Sequence, residues 1–419
     1  MLVKIPYHRT SLDLDIKKGR VTICAASDRE PLRPGEDIVR SAMAEPIESK
    51  TLAEMAGGKK RVCIVINDVT RPTPSGIIVT EILKELSKCG IRDGTITLLV
   101  ANGNHRAVRT EELRHMLGDE IVNRIKIVNH VAANEELLVY MGETSMGIPI
   151  IINKVLAESD LRIITGTIRP HQSAGYSGGR KSILPGCAGV KSIRIHHSFP
   201  IFPLSPQLGK CEGNPFHEQA LEGARSVGVD FMVNVIENAH GQIIDAVAGD
   251  LEAAHREGIK RCASVWMYEM DRMADIIITS PGGYPKDINL HQSQKALAPC
   301  ELCLKDGGVI ILVAGCADGA GHIPDWFRDS DSPQEVMERF KKEGWTPIAN
   351  AKPFLMARPL CRYQVIAVCA GVDAEVLREM FMIPACSIQE AYDIAMELCG
   401  IENPEIVVLP VAGDIIPFV

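Results

Sequence analysis

Short runs of apolar, β-branched residues recur along the chain, each giving way to a Gly/Pro/Asn/Asp turn and then to a segment with helical spacing. Arg61 to Ile66 (RVCIVI), Thr95 to Val100 (TITLLV), Leu161 to Thr165 (LRIIT), Ile276 to Thr279 (IIIT), Val309 to Val313 (VIILV) and Val365 to Val368 (VIAV) are such runs. They are apolar nearly throughout rather than alternating, the pattern of strands buried on both faces of a parallel sheet. After the first, Ser75 to Lys88 sets Ile78, Ile82 and Leu86 four residues apart with Leu83 alongside, one apolar helix stripe that Ser75 would cap and Gly90 would end. The rhythm predicts two α/β domains with mainly parallel sheets and an active-site cleft between them. Helical segments Pro215 to Val227 and Leu251 to Met273 lead up to the strand at Ile276. The divide is therefore expected near residue 271, giving an N-terminal domain of 1–270 and a C-terminal one of 271–419. The latter ends with a helix from Ser387 to Leu398 and a strand from Ile406 to Val411, after which the last residues could pack back on the first domain.

Composition narrows the class. With 419 residues, 46% hydrophobic and 23% charged, the chain can bury a sizeable core, and neither a disordered nor a fibrous protein fits. The net charge of −8 gives no reason to expect nucleic acid as a partner. No segment approaches about 18 consecutive apolar residues, and the start, MLVKIPYHRTSLDLDIKK, lacks the apolar core of a signal peptide. A cytoplasmic protein without membrane association is expected. The 13 cysteines are odd in number and scattered, which reads as reduced thiols. Cys300-x-x-Cys303 follows Pro299 and has no second such pair, so it reads as the start of a helix rather than a metal or redox site.

Ligands of doubly wound sheets lie beyond the carboxyl ends of strands, so the polar insertions there carry the chemistry. The first, Asn67 to Pro74 (NDVTRPTP), places Asp68, Thr70 and Arg71 before a helix amino end, where a phosphate or carboxylate would sit well. The second, Ala101 to Arg106, sets His105 beside a glycine turn, suited to proton transfer. The third runs from Gly166 to Gly186 and includes His171 and Lys181; it is too long and glycine-rich for a packing role, and its GGRKS lacks P-loop spacing. Lys181 could anchor a phosphate, form a Schiff base or carry a covalent group. His196 and His197 follow; on a strand they would point to opposite faces, leaving one for a metal. The fourth, Ser280 to Ala296, opens the second domain, and there Gln292 and Lys295 would share a helix face and, with Arg71, bind a carboxylate.

Together DVTRPTP (68–74), NGNHR (102–106), RPHQSAGYSGGRKSILPG (169–186), IHHSFP (195–200) and GGYPKDINLHQSQKA (282–296) resemble the nickel-pincer lactate racemase family, in order and over most of the chain. The separations His105 to His171 (66), His171 to Lys181 (10) and Lys181 to His197 (16) match those between the family's two catalytic histidines, cofactor lysine and metal histidine. The resemblance implies a racemase or epimerase that inverts C2 of a small 2-hydroxy acid. It implies a nickel-pincer nucleotide, a pyridinium thioamide thiocarboxylate mononucleotide, attached to Lys181 and ligated by His197. His105 and His171 would be the paired acid–base groups on either side of a planar 2-oxo acid while hydride passes from C2 to the pincer ring and back. Asp68, Thr70 and Arg71 would help hold the cofactor phosphate or the substrate, and Gln292 and Lys295 would orient the substrate. Cofactor-building enzymes would be needed as maturation partners. One departure stands out: the family's tyrosine before this glutamine is replaced by His291, which turns the expectation from lactate toward a larger or more polar acid. Trp345 is a further candidate for the pocket lining. Two other readings keep the same loops: a hydrolase with zinc on His171 and His197, and a non-catalytic nucleotide- or cofactor-binding protein.

Overall fold

In a computed structural model, which describes residues 1–346 and 351–419, two six-stranded sheets carry the chain. Numbered in chain order, their strands are β1 (Arg20–Ile23), β2 (Val62–Asn67), β3 (Ile96–Ala101), β4 (Lys126–Asn129), β5 (Leu161–Thr167), β6 (Phe231–Glu237), β7 (Ile243–Gly249), β8 (Ala274–Thr279), β9 (Leu304–Val313), β10 (Gln364–Val368), β11 (Ile383–Pro384) and β12 (Glu405–Leu409). The first sheet runs β7-β6-β5-β2-β3-β4 and is parallel except where β7 turns back along β6. The second runs β11-β10-β9-β8-β12-β1, parallel throughout.

The apolar runs explain the layering. Strands β6 and β8 are buried at every position, because each sheet is covered on both faces. On one face of the first sheet Ile64 and Ile66 meet Ile78, Ile82 and Leu86 of the helix Ser75–Lys88; on the other, Cys63 and Val65 face Ile164 and Leu184. Each such side chain contributes roughly 1.5–3 kcal/mol by leaving water. That helix starts one residue earlier than a Ser75 cap would require. Pro74 occupies the cap position, and the Ser75 hydroxyl is buried inside the first turn. Cys300–Cys303 is a short buried helix whose thiols donate to the carbonyls of Ala296 and Pro299. All thirteen cysteines are free.

Both chain ends cross between the sheets. The hairpin of Leu2–Tyr7 and Thr10–Asp15 packs Ile5 and Leu14 against Ile276 and Ile311, and β1 forms the far edge of the second sheet. Ile416–Phe418 pairs in parallel with Met267–Glu269, and Ile416 enters the core beside the first sheet. Among the described residues no helix is long and apolar enough to cross a membrane.

Strand order locates the site. In the first sheet the chain winds one way through β2, β3 and β4 and the other way through β5 and β6, so the reversal lies between β2 and β5. In the second it lies between β8 and β12. A crevice opens beyond the carboxyl ends at such reversals. The 67–74 and 168–186 segments leave the first of these points, and the 280–296 segment leaves the second.

Candidate active site

Asp68 is buried just past β2, with Oδ1 accepting from the Thr70 hydroxyl at 2.7 Å and Oδ2 lying 2.7 Å from His105 Nδ1. Burial pushes this carboxyl up, but the hydrogen bonds from His105 and Thr70 outweigh it and hold Asp68 below the ordinary carboxylate value. With Nδ1 engaged by a carboxylate, Nε2 is the nitrogen His105 offers outward. The side chain is 54% exposed, as a group awaiting a substrate can be. Gly103, at φ 54, donates from its amide to Gly186 O at 2.9 Å and ties this turn to the end of the long loop.

That loop is built rather than loose. Pro170–His171 pairs antiparallel with Gly175–Tyr176, and a 3-10 turn spans Gly179–Ser182. Arg180 is fully buried: Nη2 donates to Ala174 O (2.7 Å) and Tyr176 O (2.8 Å), and Nη1 lies 3.1 Å from His255 Nε2. A Cβ on Gly175 would stand 2.3 Å from Lys210 O, which is why only glycine fits there. The staple fixes His171 and Lys181 relative to one another. His171 Nδ1 accepts from the amides of Ser173 (3.2 Å) and Ala174 (3.1 Å), so its neutral ring carries the proton on Nε2. Lys181 Nζ stands 6.0 Å from the centre of the Phe216 ring, against whose edge His197 packs at 4.8 Å. Burial, then the neighbouring cations Arg71, Arg180 and Lys295, push the Lys181 ammonium well below its usual value; burial and the same neighbours with Lys181 do so for His171.

The histidine doublet corrects the strand expectation. Val190–His196 is a helix that buries Ser192, Ile193 and His196, and His197 caps its end. His196 is fully buried and bonded through Nε2 to Phe216 O at 2.8 Å, a packing role. His197 donates from Nδ1 to Ile193 O at 3.0 Å, leaving Nε2 as a free donor atom, and burial followed by Lys181 lowers it to about 4.

Beyond β8, Asn289 caps the short helix Leu290–Ser293, and Lys295 donates to Gln292 Oε1 at 2.7 Å, so this pair does share a face. Burial and then Arg71 lower Lys295 to about 8. His291 is half-buried and lowered to about 4 by burial and then by Lys352, Lys295 and His322. Lys352 donates to Oε1 of buried Gln294 at 3.0 Å, and Gln294 Nε2 reaches Gln172 Oε1 at 3.3 Å, bridging to the loop of His171. Arg71 is exposed and within electrostatic reach of His171, Lys181, Lys295 and Lys352. Trp345 is buried in the core beside the first sheet, its amide donating to Ser198 Oγ at 2.8 Å. Sequence reasoning missed Arg180, Phe216, Gln172, Gln294 and Lys352. Lys352 opens a helix, KPFLMARPL, whose pattern signals only a core.

Among the described residues, the one group of three or more His, Cys, Asp or Glu close enough to share a metal is Asp28, Glu30 and His240, all exposed. Among the described residues His171 and His197 belong to no such group.

Imidazoles and cations gathered where two doubly wound sheets reverse make this an α/β enzyme with its site between two crevices. The lactate racemase N-terminal domain matches residues 7–206 and the lactate racemase C-terminal domain residues 270–416; the chain belongs to the lactate racemase family and is an isomerase of the racemase type. It is 35% identical over 417 residues to the lactate racemase of Thermoanaerobacterium thermosaccharolyticum and 35% identical over 424 residues to that of Lactiplantibacillus plantarum, in each case over 97% of both chains. The lactate racemase apoprotein structure from T. thermosaccharolyticum superposes with a TM-score of 0.89 at 33% identity, over all of both chains. A Thermotoga maritima protein shares the fold, with a TM-score of 0.68 at 18% identity over 94% of this chain and 99% of that one.

Proposed function

We propose that this isomerase inverts C2 of a small 2-hydroxy acid with a nickel-pincer nucleotide joined to Lys181. The observation that carries the reading is the meeting of Lys181 and His197 on one Phe216 ring, with His171 ten residues before the lysine on a stapled loop. The donor set suits such a group. Burial and the neighbouring cations shift Lys181 toward the neutral amine that an amide-type bond needs, His197 keeps Nε2 for nickel, and the Ser75 hydroxyl is buried without a hydrogen-bond partner among the described residues, at a helix amino end where a phosphate is favoured. When bound, the group would supply a hydride acceptor and donor for C2.

The chain's own residues do the rest. Arg71 and Lys295, with Gln292 fixing the ammonium, hold the substrate carboxylate. His105, its Nδ1 on Asp68, takes the hydroxyl proton at Nε2, while His171 presents Nε2–H to the oxygen from the other side. The reverse assignment delivers the opposite epimer, which is why two imidazoles are required. Asp68 and Thr70 orient His105, and Arg71 also suits the cofactor phosphate. His291 argues for an acid more polar than lactate. The residues up to about 270, apart from the amino-terminal hairpin and β1 that pack with the second sheet, form the cofactor-holding unit and 271–419 the substrate-closing one. The enzyme works in the cytoplasm with cofactor-building enzymes as maturation partners, and made without them it is an inactive apoprotein.

Protein produced with those partners should carry the adduct mass on the Lys181 peptide and one nickel per chain, and should invert enantiopure 2-hydroxy acids on chiral chromatography. His105→Ala and His171→Ala should lose turnover while keeping the adduct. No adduct, no nickel and no inversion of any such acid would end the proposal.

A further inference from the structure

After β12 the chain returns between the two sheets, and Asp414 stands at the middle of this stretch. Two residues before it the Ala412 amide donates to Ser280 O at 2.8 Å, just past β8; two residues after it Ile416 begins the pairing with Met267–Glu269. The Asp414 side chain is 17% exposed, and its Oδ2 meets Arg169 Nη1 at 3.3 Å and Lys286 Nζ at 3.4 Å. Arg169 leaves the first sheet and leads directly into the Pro170–His171 strand of the stapled hairpin, whereas Lys286 lies on the loop that leads from β8 to Lys295. Arg169 is braced in turn. Its amide donates to Ser177 Oγ at 2.9 Å, Nη2 lies 3.5 Å from Oε2 of buried Glu237, and the guanidinium stands 5.5 Å from the centre of the Trp266 ring. Lys295 sits in a crowd of like charge: Arg71, Lys181, Lys286 and Lys352 face it, with the imidazoles of His171 and His291. Among the described residues Asp414 is the acid whose field reaches it, opposing the burial and the Arg71 charge that lower this ammonium to about 8. Gln292, its hydrogen-bond partner at 2.7 Å, is neutral and fixes direction without supplying charge.

We propose that Asp414 is a positioning residue of the racemase site, acting through Lys295: it holds the ammonium that receives the substrate carboxylate in register with the hairpin of His171. This rests on the reading of Lys295 as a group that binds that carboxylate. Asp414 suits the task because its two ion pairs join loops of both sheets, whereas Glu237, the other acid on Arg169, is buried at the end of β6 on the first sheet's side. Without the Asp414 charge, Lys295 faces cations alone among the described residues, which favours the neutral amine and weakens its hold on an anion.

The test reads Lys295 directly. Trace acetylation of the apoprotein with acetic anhydride across a range of pH, followed by peptide mass spectrometry, gives the pH at which this amine loses its proton, expected near about 8. Asp414→Asn should lower that midpoint by at least about 0.5 pH unit, and Asp414→Glu should return it to within about 0.2 of the parent. Glu237→Gln should leave it in place. Lys286→Met, at an exposed ammonium, covers the case of an Asn variant that does not fold: it removes a like charge and a rival for Asp414, so the midpoint should rise. On nickel-loaded protein the alkaline limb of kcat/KM should move down with the Asp414→Asn midpoint, through a KM raised at least about threefold above pH 8 while kcat changes less. A smaller drop in Asp414→Asn, an equal drop in Glu237→Gln, an unmoved midpoint in Lys286→Met, or a rate loss at every pH without a shifted limb overturns the inference. If the loaded protein inverts no 2-hydroxy acid, the racemase reading is what has failed, and the acetylation midpoints alone then decide whether Asp414 governs Lys295.

Discussion

Replacing Asp68 by Asn separates the charge of the His105 partner from its shape. The Asp68 side chain is 4% exposed and touches His105 Nδ1 at 2.7 Å, while His105 is 54% exposed. Two unit charges about 4 Å apart are worth about 1 kcal/mol in water and about 4 kcal/mol at an effective dielectric near 20. A pair buried on one side and wet on the other falls between, at roughly 1–3 kcal/mol once screening is allowed for. In the proposed reaction that energy stabilises the imidazolium formed as His105 takes the hydroxyl proton, so its loss alone should slow the step by roughly 10- to 100-fold. An Asn amide facing Nδ1 also favours the tautomer with its proton on Nε2, blocking the base, with a ceiling near the roughly 10⁴-fold that a general base contributes. The expected result is a kcat lowered by about 100-fold or more, with KM for the acid little changed because Arg71 and Lys295 are untouched. Initial rates by chiral chromatography on variant with confirmed adduct and nickel would measure it. A kcat within threefold of the parent would refute the dyad, because among the described residues Asp68 is the carboxylate on that imidazole.

Three further outcomes are expected of the same fold. His197→Ala should retain the adduct mass on Lys181 while nickel per chain, measured by elemental mass spectrometry, falls at least about tenfold. Arg358 and Glu301 form a buried pair, Nη2 to Oε1 at 2.6 Å, with both side chains nearly sealed from solvent. Arg358→Met should therefore cost about 3–5 kcal/mol, seen as a lower calorimetric Tm, because a carboxylate is stranded. Finally, burial and then Arg180 lower His217 to about 3 in the fold. Between the ordinary histidine value and about 3 the unfolded chain binds the extra proton, so stability declines as pH falls from about 6.5. His217→Gln should flatten that decline by up to about 1.4 kcal/mol per pH unit, read from denaturation midpoints at successive pH values.

The strands were legible because apolar runs such as RVCIVI have no other home than a sheet covered on both faces. The helix Ser75–Lys88 was legible because its stripe is unambiguous. The doublet His196–His197 was not: Val190 to His196 is rich in Val and Ile, and only its contact with Phe216 and the 149–153 strand decides for helix. The carriers of candidate chemistry were visible as polar insertions after strands, since packing gives such residues no purpose. What holds them in place was invisible, because Arg180 braces backbone carbonyls and Gln172 and Gln294 meet across 122 positions of chain. The edge strand Arg20–Ile23 escaped notice for a related reason: four residues carry no periodicity to detect, and their partner Glu405–Leu409 lies nearly the whole chain away.

That stitching of both termini governs how the protein tolerates surgery. Severing it at residue 270 would strip the later half of a border strand and its overlying hairpin, baring unpaired amides and carbonyls along Glu405–Leu409 to any neighbouring molecule. The two pieces should be recovered in soluble form only when produced side by side, whereas either one alone would aggregate.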